Sequence, residues 1–190
     1  MLSRLQNHWP FVLLLAIYLI AATWLSFRLP AFITPNEPLH YEHAALLVRT
    51  GRLPDPNQSE RMDERHQPPL YYALAALAGT SFANIPLDTE LEPNPYYFQT
   101  IRGNRNPFMH TTPSTVPLLY AGRLVSTLLG GLGVAAVYFT AVQSLPAAAG
   151  LLVAALMAFQ PMYLFLSASL NNDLAVTALI AVVLAYTTIL

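Results

Sequence analysis

Residues 124–172 read LVSTLLGGLGVAAVYFTAVQSLPAAAGLLVAALMAFQPMYLFLSASLNN and carry no formal charge. Their apolar residues run in long blocks and are not confined to one helical stripe, the pattern of a chain whose solvent is lipid. A hydrocarbon core about 30 Å thick takes roughly 20 helical residues to cross. Working outward on that measure, spans are expected at about 10–28, 116–142, 147–166 and 174–190. The fold class expected is an all-α polytopic membrane protein. The last run is still apolar at Leu190, with no interfacial or basic anchor, so the sequence reads as a fragment ending in or just after a span. The first run, Pro10 to Phe27, is long for a signal-peptide core and ends at Arg28 without a small-residue cleavage pattern, so it reads as a retained span.

Composition agrees with this reading and closes off other classes. Charged residues make up 10% of the chain, well below the roughly 25% of soluble domains. Net charge is −1 and lysine is absent, so nothing would hold a nucleic acid electrostatically. The lack of cysteine excludes disulfides, thiolate metal sites and cysteine nucleophiles.

Between the first two spans, residues 29–115 hold nine of the ten Asp and Glu residues. This stretch is too long for a mere connector. Thr34-Pro35-Asn36-Glu37 reads as a helix start, with Thr34 as N-cap, Pro35 first in the helix and Glu37 third. A surface or interfacial helix over 35–49 is expected, closed by Gly51. Residues 69–83 are apolar but too few for a full crossing, which suggests an interfacial or re-entrant helix. An ordered or partly mobile coil follows over 84–115. Arg4 favours a cytoplasmic N-terminus, which puts 29–115 and Ser167–Asp173 outside the cytoplasm. Glu37 and Asp173 then share one face of the membrane, provided that 69–83 does not cross.

Several polar groups at this edge have two readings. Asp173 closes Ser167-Ala168-Ser169-Leu170-Asn171-Asn172-Asp173 between two apolar runs, where it can cap a helix or serve as a functional carboxylate at the lipid boundary. Glu37 can complete a capping box, bind a divalent cation or take a proton from an acceptor hydroxyl. His40 and His43 invite a zinc reading, but the His-Glu-x-x-His pattern of zinc peptidases is absent. Arg123, about seven residues into a span, can snorkel, pair with a carboxylate or meet a lipid phosphate.

The order of these features resembles a known group. A first span is followed by Pro35-Asn36-Glu37-Pro38-Leu39-His40-Tyr41, Gly51-Arg52-Leu53-Pro54, His66-Gln67-Pro68-Pro69-Leu70-Tyr71-Tyr72, Gly122-Arg123-Leu124-Val125-Ser126 and Ser169-Leu170-Asn171-Asn172-Asp173. This is similar to the N-terminal half of the GT-C polytopic glycosyltransferases, which include protein O-mannosyltransferases and the aminoarabinose transferases of lipid A. The resemblance covers essentially the whole chain. It implies a multi-pass cell-membrane enzyme that moves a sugar from a polyprenyl-phosphate donor to a hydroxyl of a glycan, lipid or protein acceptor on the extracytoplasmic face. It implies further that the family's acidic pair falls on Asn36-Glu37 and its second acidic position on Asp173.

Asn36 departs from the pattern, because relatives usually have an aspartate there and asparagine cannot take a proton at neutral pH. The resemblance then makes Glu37 the base and Asp173 an orienting or metal-associated carboxylate, with Mg2+ or Mn2+ as the cation. Arg123, His66, Tyr71 and His40 are the expected substrate-binding residues, and the fragment alone is expected to be inactive. A lipid-linked substrate transporter or flippase is the rival reading, although no inverted repeat is evident. A noncatalytic membrane scaffold is the third, favoured by Asn36 and by the capping roles open to Glu37 and Asp173.

Overall fold

The computed structural model describes residues 8–54, 67–82, 85–87, 90–97 and 106–188. Seven α-helices lie among them: α1 (Trp9–Arg28), α2 (Glu37–Thr50), α3 (Leu70–Gly79), α4 (Pro117–Ser144), α5 (Ala147–Ala158), α6 (Pro161–Ser167) and α7 (Asp173–Thr187). The β pairing among the described residues is a lone antiparallel bridge from Pro93 to Phe108. The fold is all-α. Two helices, α1 and α4, are long and apolar enough to cross a membrane, and α5 with α6 makes a third if the bent pair counts as one span.

α4 is the centre of the assembly, and every other helix packs against it. Its 28 residues give a rod of about 42 Å at 1.5 Å per residue, longer than the hydrocarbon core. α1 runs antiparallel to it. Phe11 stacks on Tyr138 at one end, with ring centroids 4.0 Å apart, while Ser26 meets Thr127 at the other. The C-terminal end of α1 therefore lies beside Arg123, and the first turns of α4 project beyond it. Trp9, Val12, Ile20 and Trp24 stay exposed on the outer side of α1, an apolar face of the kind that lipid covers.

The expected span 147–166 is broken. α5 and α6 meet at 65° around Gln160-Pro161, where proline disfavours helix in the preceding residue. The Gln160 side chain then caps α6, accepting from the Tyr163 N–H at 2.5 Å. Below the bend α6 presses on α4 at Gly130, whose carbonyl accepts from the Tyr163 hydroxyl at 2.8 Å. A Cβ at Gly130 would collide with the Tyr18 hydroxyl and lie 2.7 Å from Ser167 Oγ, so only glycine allows this approach. α7 has 15 helical residues, about 22 Å, which is short of a full crossing; residues 189 and 190 lie outside the described set.

α3 has ten residues, about 15 Å, and packs along the first turns of α4 and against α2. Tyr71 reaches Ser126 while Gly79 abuts Leu118, so α3 runs antiparallel to α4, from the level of Ser126 back to that of Leu118. The helix expected at 35–49 begins instead at Glu37, and it is not a surface helix. Glu37, His40 and Tyr41 to Ala45 are all buried, because α3 lies across that face and stacks Tyr72 on the His43 ring at 3.7 Å. The Thr34 cap also fails. Asn36 precedes the helix in the left-handed region at φ 58°, a conformation asparagine tolerates better than most residues, and the Glu37 carboxylate turns inward.

Candidate functional site

Arg123 and Glu37 are both wholly buried, with 0% side-chain exposure, and form an ion pair. The guanidinium has five N–H donors, and each has an acceptor. Nε donates to Glu37 Oε1 at 2.8 Å and Nη2 to Glu37 Oε2 at 2.7 Å. The remaining three go to the carbonyls of Ser26, Leu29 and Pro30 at 2.8, 2.9 and 3.0 Å. Arg123 also lies 5.3 Å from the Tyr120 ring centroid. One side chain thus ties the end of α1 to α4 and to the start of α2.

Glu37 carries the connection one element further. Its Oε1 also accepts the Leu170 N–H at 2.9 Å, fixing the turn between α6 and α7. Leu170 enters that position by passing over Gly122, where a Cβ would collide with its side chain. Asn171 follows with its N–H to the Tyr71 hydroxyl at 2.9 Å, and the Asp173 N–H donates to Asn171 Oδ1 at 2.6 Å. Four motifs far apart in sequence meet at this turn.

A second polar chain runs beside the first. Tyr72 donates its hydroxyl proton to Gln67 Oε1 at 2.6 Å, and that oxygen also accepts from Asn172 Nδ2 at 3.2 Å. His40 Nδ1 lies 2.8 Å from the same tyrosine oxygen. Since the tyrosine has spent its single proton, Nδ1 is the donor, and neutral His40 carries its lone pair on Nε2. Burial pushes the His40 pKa down to about 4, against the pull of the nearby Asp173 carboxylate and with a smaller push from His43. His40 is therefore neutral at pH 7, and Asp173, which is exposed, is the carboxylate of this cluster that faces solvent.

The structure thus brings together Glu37, His40, Tyr71, Arg123 and Asp173, with exposed Asn36 preceding Glu37; His66 lies outside the described residues. Arg123 has no donor left for a lipid phosphate. Glu37 takes three donors on two oxygens with a guanidinium at contact distance, so it does not fit as a ligand of Mg2+ or Mn2+ in this arrangement. Among the described residues no group of three or more His, Asp or Glu is placed to hold a metal. Gln67, Tyr72, Asn171 and Asn172 were not singled out from the sequence, although each sits inside a quoted motif. Their signal was their place inside motifs that already held a candidate, His66 and Tyr71 for Gln67 and Tyr72, and Asp173 for Asn171 and Asn172. Comparison with protein-family profiles, curated proteins and solved structures finds no match.

Proposed function

We propose that this chain belongs to a polytopic GT-C-like glycosyltransferase that moves a sugar from a polyprenyl-phosphate donor to an acceptor hydroxyl at the extracytoplasmic edge of the membrane. One observation carries the reading: the first-loop residues Glu37 and His40, the Gln67–Tyr72 segment, Arg123 and Asn171–Asp173 converge on a single edge of the helix assembly. Lipid-linked donors present their reactive bond at that depth, where a polar cluster set against apolar spans can meet both headgroup and tail.

In this reaction the acceptor oxygen attacks the anomeric carbon and the carbon–oxygen bond to phosphate breaks. Polyprenyl phosphate leaves with the bonding electron pair, and the acceptor proton passes to a carboxylate. Asp173 is the carboxylate we assign to that proton, because it is exposed where Glu37 is enclosed. It stands in the first turn of α7, where the helix holds it at a fixed place beside His40. His40, neutral and with Nε2 as acceptor, is suited to binding a sugar or acceptor hydroxyl.

The saturated Arg123–Glu37 pair favours a second reading, a noncatalytic membrane scaffold, since neither group needs a substrate to complete it. Transfer assays on the full chain in membranes, with radiolabelled polyprenyl-phosphate sugars, separate the two. Asp173→Asn should lower turnover roughly 100-fold or more, the scale of removing an acid–base group, with unchanged abundance. Equal rates for Asp173→Asn and the parent would remove the catalytic assignment, and no transfer from any such donor would favour the scaffold.

A further inference from the structure

We infer that Glu37 and Arg123 are a positioning pair: they hold the turn that presents Asp173, and Glu37 is not itself the proton acceptor. The claim that the turn is held stands on geometry alone, whereas the claim about the proton rests on the glycosyl-transfer reading.

The turn is anchored at nearly every residue. Leu170 N–H is held by Glu37, Asn171 N–H by Tyr71, Asn172 Nδ2 by Gln67 and Asp173 N–H by Asn171 Oδ1. Only the first anchor is an ionised group, and a hydrogen bond to a charge is about twice as strong as a neutral one. That carboxylate is in turn fixed in two directions by a guanidinium clamped onto one carbonyl of the last turn of α1 and two of the α1–α2 connection. Rotation of Glu37 toward solvent would strand the Leu170 N–H and two guanidinium donors in a buried site. A substrate proton cannot reach an oxygen so enclosed, but the position of Asp173 depends on it.

The test uses the natural absence of cysteine. Ser169, at 0% exposure, and Ile85, buried in the first loop, are each replaced by cysteine in the full chain in membranes and exposed to a membrane-impermeant maleimide. In a Glu37→Ala background, labelling at position 169 should rise roughly tenfold or more as the turn opens locally, while labelling at 85 stays as in the parent. Glu37→Gln retains an acceptor for Leu170 and should raise it about threefold, the weaker effect expected of a neutral partner. If Glu37→Ala does not accumulate, Glu37→Gln alone decides, and unchanged labelling at 169 would overturn the positioning role. A rise of equal size at 85 would do the same, since it reports general unfolding.

The second readout is the pH dependence of transfer. With Glu37→Gln the rate should fall about tenfold while the acid limb of the profile keeps its midpoint. With Asp173→Asn the acid limb should vanish. Loss of the acid limb in Glu37→Gln would make Glu37 the proton acceptor and sink the inference. If every form lacks transfer activity, the functional reading fails and the labelling result still judges the anchor.

Discussion

Arg123→Met and Glu37→Met break the same buried ion pair, yet they should not cost the same. Removing one partner of such a pair typically costs about 3–5 kcal/mol, because the other charge is left buried alone. Each change strands three backbone or guanidinium partners. Arg123→Met, however, leaves the Glu37 carboxylate with the Leu170 N–H alone, whereas Glu37→Met leaves a guanidinium still held by the carbonyls of Ser26, Leu29 and Pro30. Arg123→Met should therefore be the worse by about 1 kcal/mol or more. The double variant should recover stability relative to Arg123→Met, but not to the parent level. Unfolding titrations in detergent micelles would show this order; equal losses for the two single variants would contradict it. His40 gives a pH signature at the same scale. Its folded pKa of about 4 lies below the ordinary 6.5, so the unfolded chain takes up a proton that the folded one refuses. Its contribution is therefore complete above about pH 6.5 and is lost as pH falls toward 4, with a ceiling of about 3 kcal/mol. His40→Gln, which can still hydrogen-bond Tyr72, should flatten the fall in stability between pH 7 and 5, and an unaltered slope would show that other groups cause it.

Among the elements, the bent pair α5 and α6 makes the sharpest demand on its neighbours. Gly130→Ala places a methyl group against Tyr18 and Ser167 and should destabilise by about 1–3 kcal/mol, the usual cost of overpacking. Removing the nearer obstacle with Tyr18→Phe should make the same substitution milder. Additive losses in a double-variant cycle would show that the two sites do not share the strain. The spans of α1 and α4 were legible in the sequence to within a few residues, because uniform apolar composition leaves a helix little alternative in lipid. The break at Gln160-Pro161 was also written there, but an apolar run across it hid a proline signal of the ordinary kind. α2 was misjudged for a different reason. Its many polar residues suggest an exposed face, and nothing local tells that α3 and the α6–α7 turn come back to cover them.

For the molecule as a whole, α3 should leave the two ends of the first loop on one side of the membrane. Cysteines at exposed Thr50 and Ser114 should label with an impermeant thiol reagent in intact cells. One at Ser144, at the far end of α4, should label only after the membrane is permeabilised. Labelling of Thr50 and Ser114 from opposite sides would mean that α3 crosses. The location of the candidate site could be read from motif order, whereas the division of labour within it could not. Whether Glu37 faces water or Arg123 depends on a contact 86 residues away in sequence, and no periodicity encodes that. This separation has a consequence for biosynthesis. Glu37 acquires its final partner, the Leu170 amide, across 133 residues of sequence, roughly 7 to 27 s of translation at about 5–20 residues per second. Arg123, only 86 residues on, supplies the counter-charge before that, so what closes last is the α6–α7 turn, and in a chain whose α5 or α6 is misplaced the Leu170 N–H never meets its carboxylate although the ion pair has formed.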